Sequence, residues 1–211
     1  TEVMGVDEDR ANVVITPGIN ALNECDASAV DSNDRPSSCE TLGALNNFWR
    51  SMSSMTFDVP ESNNNGQLKV AISQASPLRN LHIKNGNLVL CDWLTQSWNC
   101  GFASGGFLSD SVVDGSIVGG LKQQFYYFNV WSESIQSNLW NAVVQNESGQ
   151  FPTLEGEMET SNSIINPWEG SPFTEVTTQE TVDMEKPRLI EESGQWFVKQ
   201  GDRKESLKDY T

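Results

Sequence analysis

Four carboxylates, Asp92, Asp110, Asp114 and Glu133, sit on or beside short apolar runs in the middle of this 211-residue chain. Asp110 and Asp114 stand four positions apart across one such run. If neighbouring runs stack, several carboxylates share a face, and like-charge crowding raises one pKa to give an acid and base pair. Glycoside hydrolysis needs such a pair, at ~5–5.5 Å for retention of configuration or ~6.5–9.5 Å for inversion. A plainer role competes with this one: Asp110 and Asp114 as corner residues bonding backbone amides, Asp114-Gly115 above all.

His82 is the only histidine. It lies between Leu81 and Ile83 and beside Arg79 and Lys84, so alternation turns it away from the apolar face. With no second histidine and no triad partner apparent, it reads as a groove-lining or solvent-facing residue. Seven tryptophans are many for this length. Aromatic faces stack on sugar rings while amides, carboxylates and guanidinium groups bond hydroxyls. Trp93 and Trp98, in a polar loop between Cys91 and Cys100, are the stacking candidates, with His82 and Arg79 as polar partners. Trp49, Trp131 and Trp140 are expected to fill the interior.

The alternating Glu155, Glu157 and Glu159 offer oxygen ligands, but no calcium-loop pattern accompanies them, and a solvated acidic strand or loop suits them better. Gly101-Phe102-Ala103-Ser104-Gly105-Gly106 precedes no helical pattern, so these glycines are expected at tight corners and not under a phosphate. No metal and no cofactor is expected. Cys25, Cys39, Cys91 and Cys100 form two local pairs, and Cys25–Cys39 with Cys91–Cys100 is the simplest disulfide pairing; four free buried thiols are the alternative. Asn146-Glu147-Ser148 is a glycosylation acceptor triplet. Together these favour a secreted, extracellular protein.

Thirteen Lys and Arg against 29 Asp and Glu leave a net charge of −16. Such a surface cannot release counterions from a nucleic acid or settle on an anionic membrane. No apolar run approaches the ~20 residues of a membrane span. A polysaccharide is the partner that the tryptophans suggest, and the chain, opening without an initiator Met, reads as a piece of something longer, whose remainder is then a partner, or as a processed product.

The elements that must position these residues are strands. Amphipathic helical periodicity is nearly absent, and short apolar runs such as Met55-Thr56-Phe57, Leu81-His82-Ile83 and Ser111-Val112-Val113 recur between Asn, Asp, Ser and Gly corners. Strands this short, with polar corners and stackable apolar positions, fit a right-handed parallel β-helix. A β-sandwich is the alternative. No single repeat length holds, since these three runs and Asn129-Val130-Trp131 follow at intervals of 26, 30 and 18 residues.

Seven segments in order strengthen the solenoid reading. They are Asn47-Phe48-Trp49-Arg50, Val70 to Arg79, Leu81-His82-Ile83, Ala103 to Gly115, Gln123-Gln124-Phe125-Tyr126, Asn138-Leu139-Trp140-Asn141, and Glu185-Lys186-Pro187 with its following hairpin. Between Gly5 and Val198 the chain resembles large secreted right-handed β-helix proteins of the pectate-lyase-like superfamily, near glycoside hydrolase family 55. The resemblance implies an interior section of a longer solenoid acting on a polysaccharide such as β-glucan. It also implies a catalytic acid in a later part of the chain, to which no residue here corresponds. The inserts Cys25 to Cys39 and Cys91 to Cys100, and the long acidic stretch Glu155 to Glu185, depart from the pattern.

The expected organisation is β-helix coils over 1–149, an acidic loop or wrapping arm over 150–187, and a terminal hairpin and tail over 188–211. The expected role is scaffold and part of a sugar-binding groove in a carbohydrate-active protein. A non-catalytic extracellular solenoid for structure or wall attachment is the competing role.

Overall fold

The computed structural model describes residues 1–7, 9–22, 47–48, 50–62, 64–74, 76–91, 103–140, 142–147, 149–155, 173–177, 188–200 and 202–206. In chain order the first strands are β1 (Glu2–Met4), β2 (Val14–Ile15), β3 (Ser51–Asp58), β4 (Gln67–Lys69), β5 (Pro77–Lys84) and β6 (Asn87–Val89). Next come β7 (Ala103–Ser104), β8 (Phe107–Val113), β9 (Ile117–Gln123), β10 (Tyr126–Trp131), β11 (Ser134–Trp140) and β12 (Ala142–Asn146). The last are β13 (Thr153–Glu155), β14 (Phe173–Thr177), β15 (Arg188–Glu192), β16 (Gln195–Gln200) and β17 (Arg203–Ser206).

Strands β1 to β14 lie in two parallel sheets, between which the chain passes back and forth from β3 onward. One runs β1-β3-β5-β8-β10-β12-β14, with β2 also against β3; the other runs β13-β11-β9-β6-β4, with β7 also against β9. The fold is a parallel β-helix. Its core is a set of ladders in which each coil places a like residue over the last. Met52, Leu78, Leu108, Tyr127 and Val144 align in the first sheet. Leu68, Leu88, Ile117, Ile135 and Leu154 align in the second. Apart from Leu154, these side chains are at most 4% exposed. Burying each such side chain contributes about 1.5–3 kcal/mol, so the ladders hold the coils together where no single coil would be stable.

The polar dipeptides of the sequence form the corners. Asn85-Gly86 and Asp114-Gly115 link a strand of the first sheet to one of the second, and the Gly115 amide donates to the Gly86 carbonyl of the coil below at 3.1 Å. At another corner Gly106 has φ +111, and a Cβ there would lie 2.4 Å from Ser76 Oγ. Only glycine adopts that backbone without strain.

Two expectations about organisation change. Parallel pairing does not stop at 149, because β13 pairs with β11 and β14 pairs with β12. Part of the expected acidic arm is therefore solenoid, and 156–172 and 178–187 lie outside the described residues. The terminal hairpin, β15 with β16 around Ser193-Gly194, carries a third antiparallel strand, β17.

Candidate functional site

Each long strand of the first sheet bends at one residue in the left-handed region: Ser54, Asn80, Asp110 and Asn129, with φ between 49 and 57. The register places these four side by side on successive coils. Asn and Asp tolerate this conformation better than most residues because their short polar side chains bond locally. The bend inserts an extra outward residue, as a β-bulge does. Inward positions in β5 are thus Leu78, Leu81 and Ile83, all buried, with Arg79 and Asn80 both outside.

This shift corrects the placement of Trp131. Strict alternation from buried Tyr127 would turn Asn129 and Trp131 inward. The bend at Asn129 instead buries Val130 and leaves Trp131 43% exposed. The polar row binds itself together. Asn129 Nδ2 donates to Asp110 Oδ1 at 3.5 Å, and the Glu147 amide donates to Asn129 Oδ1 at 3.0 Å. Arg10, brought over the row by a short 3-10 turn at Arg10–Asn12, donates from Nη1 to the Asp110 carbonyl at 2.8 Å and the Leu81 carbonyl at 3.1 Å.

The result is an open cleft of about 390 Å³ in which Trp131 and Val112 meet Arg10, Asp110, Asn129 and Glu147. It offers one aromatic face, an amide, two carboxylates and a guanidinium, a mixture suited to a sugar ring with its hydroxyls. Trp131 and Glu147 were not singled out by sequence reasoning as binding residues, since the side-chain alternation that decides exposure was reset by a backbone conformation. The signal available was the Asn or Asp lying two residues before an outward position in β8 and β10.

Of the sequence candidates, Asp110 lies in this cleft, but Asp114 does not. Asp110 sits at the bend of β8 and lines the cleft, whereas Asp114 lies at the corner past the end of that strand, so the two do not face one site. Asp114 is a corner residue: its Oδ2 accepts the Asn85 amide at 2.9 Å, and its Oδ1 meets His82 Nε2 at 2.8 Å. His82 therefore does have an acidic partner, which its sequence neighbours did not reveal. Burial pushes the Asp114 pKa up, but the Asn85 amide, the His82 bond and charge, and Lys84 together hold it below the usual value. Arg79 stacks its guanidinium 4.8 Å over the Phe107 ring, on the other side of the bend from the cleft.

Asn146 borders the cleft but is 2% exposed, and its Nδ2 donates to the Gln150 carbonyl at 2.6 Å. The nitrogen that a glycan would take is covered and engaged. Among the described residues no cysteine is free, and Cys91 is fully buried. Trp93, Trp98, Cys25, Cys39 and Cys100 lie outside the described residues, as do Asp92, Glu157 and Glu159. Among the described residues no three His, Cys, Asp or Glu side chains gather as a metal site, and no helix is long and apolar enough to cross a membrane.

No family model matches the chain. It is 31% identical over 148 residues to an exo-β-1,3-glucanase of Streptomyces sp. (strain SirexAA-E / ActE), a match covering 69% of this chain and 20% of that protein. Its fold matches a variant of sacteLam55A from Streptomyces sp. SirexAA-E, solved in complex with glucose. There the TM-score is 0.60 at 23% identity, over 97% of this chain and 30% of the other. The chain thus spans about a fifth of the length of the curated relative it matches. It is a parallel β-helix similar in sequence to an exo-β-1,3-glucanase and in fold to sacteLam55A, as the resemblance to β-helix proteins near glycoside hydrolase family 55 implied.

Proposed function

We propose that the chain is the β-helical part of a secreted glycoside hydrolase acting on β-1,3-glucan, and that the cleft at Trp131 binds the polysaccharide. The observation that carries this reading is the large aromatic face left 43% exposed beside hydroxyl-binding side chains. Exposing it costs part of the ~1.5–3 kcal/mol that burial of a large side chain contributes, which a bound sugar ring would recover. The name of the exo-β-1,3-glucanase relative supplies the substrate class. Hydrolysis is assigned to groups outside this chain, because Asp114 is committed to a corner and leaves Asp110 without that carboxylate as a partner in the cleft. The disulfides Cys25–Cys39 and Cys91–Cys100 belong to this reading as staples of an extracellular solenoid.

The test is retention of the intact chain on insoluble β-1,3-glucan and on pectic polymers, with assay of released reducing ends. Retention on β-1,3-glucan alone supports the reading. Equal retention on both polymers, or none on either, favours a structural solenoid.

A further inference from the structure

We propose that the Trp131 cleft continues along the solenoid axis onto neighbouring coils, where His82, oriented by Asp114, makes a second contact with the same glucan chain. This rests on the reading of the cleft as a glucan site. His82, Val112 and Trp131 stand in line on the outer face of three adjacent strands, His82 opposite Val112 and Val112 opposite Trp131. At ~4.8 Å per strand, His82 lies about 10 Å from Trp131 along the axis. Val112 between them is short and half-buried. The row is therefore a shallow track with an aromatic ring at one end and an imidazole at the other.

Chemistry fixes how that imidazole presents itself. Asp114 carries its charge at neutral pH and so only accepts hydrogen bonds, which makes His82 Nε2 the donor across 2.8 Å. With Nε2–H committed to Asp114, Nδ1 is the ring nitrogen left for an outside partner. Among the described residues nothing bonds Nδ1, and the His82 side chain is 28% exposed. The second oxygen of Asp114 is held by the Asn85 amide at 2.9 Å, and Asn85 Nδ2 donates to Asp58 Oδ1 at 2.8 Å. Asp114 is thus anchored to the corner below, and the ring cannot turn without breaking its bond to that carboxylate. A sugar hydroxyl, which both donates and accepts, is the partner that an outward ring nitrogen on such a track would take. One sugar ring seated on Trp131 does not reach His82, whereas a chain of several units does.

Calorimetric titration of the full chain with glucose and with β-1,3-linked oligosaccharides up to the hexasaccharide tests this. Trp131→Ala is expected to weaken binding of every length. His82→Ala is expected to leave glucose and the disaccharide unchanged and to weaken the longest oligosaccharides about fivefold to tenfold, the loss of one hydrogen bond. Asp114→Asn, which keeps the ring but loosens its orientation, should shift the same long ligands in the same direction by less. His82→Phe keeps a ring without the nitrogen and replaces His82→Ala if that variant does not fold. Parent-like binding of all lengths by the histidine variant, or an equal loss at every length including glucose, overturns the second contact while the cleft stands. If Trp131→Ala binds every length as the parent does, the cleft itself is misread and the second contact falls with it.

Discussion

Lys122 reaches across the inside of the solenoid and donates from Nζ to the Ile72 carbonyl at 2.6 Å. The side chain is 1% exposed, and its ammonium lies 5.0 Å from the centre of the Phe125 ring. It sits on β9 where that strand's partner changes from β6, at Ile117 and Val118, to β7, at Lys122 and Gln123. The bond satisfies a carbonyl that the corner after β4 turns inward. Burial of the amine lowers its pKa from 10.5 to about 7.

Stability should therefore rise with pH between 7 and about 10. In that window the unfolded chain holds the Lys122 proton and the folded chain has released it, so raising the pH favours folding; below 7 both states hold it and the dependence fades. A shift from 10.5 to about 7 corresponds to on the order of 5 kcal/mol across the full window. Denaturant midpoints at pH 7 and 9.5 should show the rise in the parent and a flatter profile in Lys122→Met.

Asn129→Ala should cost about 1–2 kcal/mol, from a left-handed backbone that alanine disfavours and from an unpaired Glu147 amide. Asn129→Gly accepts the backbone and loses only the side-chain bonds, so its loss should be about half as large. Urea unfolding of the two variants checks the order; equal losses would mean that the bend carries no strain of its own.

Gly106→Ala should be more damaging than either, by about 2–4 kcal/mol, because a positive φ and a backbone corner leave no place for a Cβ. The contact at 2.4 Å is to the Ser76 hydroxyl, with the Phe125 ring at 3.2 Å. A Gly106→Ala/Ser76→Gly double variant relieves the first contact but not the backbone, and its melting temperature should recover only part of the loss.

Peptide mapping without reduction should recover Cys91 joined to Cys100 and Cys25 joined to Cys39. Cys91 is buried and carries no free thiol. A Cys91 peptide that takes up an alkylating reagent in the unreduced, unfolded chain would contradict this pairing.

The fold was legible in the sequence because a solenoid repeats its simplest signal. Runs such as Leu81-His82-Ile83 and Ser111-Val112-Val113 announce short strands, and Asn85-Gly86 and Asp114-Gly115 announce the corners between them. The side of the sheet that each residue faces was less legible. One left-handed residue per strand resets the alternation, which is why Trp131 emerges on the surface while Val130 is buried. Long-range pairs were hidden for a different reason. His82 and Asp114 are 32 residues apart and meet only because adjacent coils set Ile83 beside Val113. Coil lengths here vary too much for a fixed period to foretell that meeting.

We propose Trp131 as the platform of a β-1,3-glucan site. Its most direct test is the affinity of the intact chain and of Trp131→Ala for soluble β-1,3-glucan, with circular dichroism to verify that the coils are intact. Loss of an exposed stacking ring from an otherwise unchanged cleft should weaken binding about tenfold or more, near 1.4 kcal/mol. Equal affinity of a folded Trp131→Ala variant and the parent would contradict the claim.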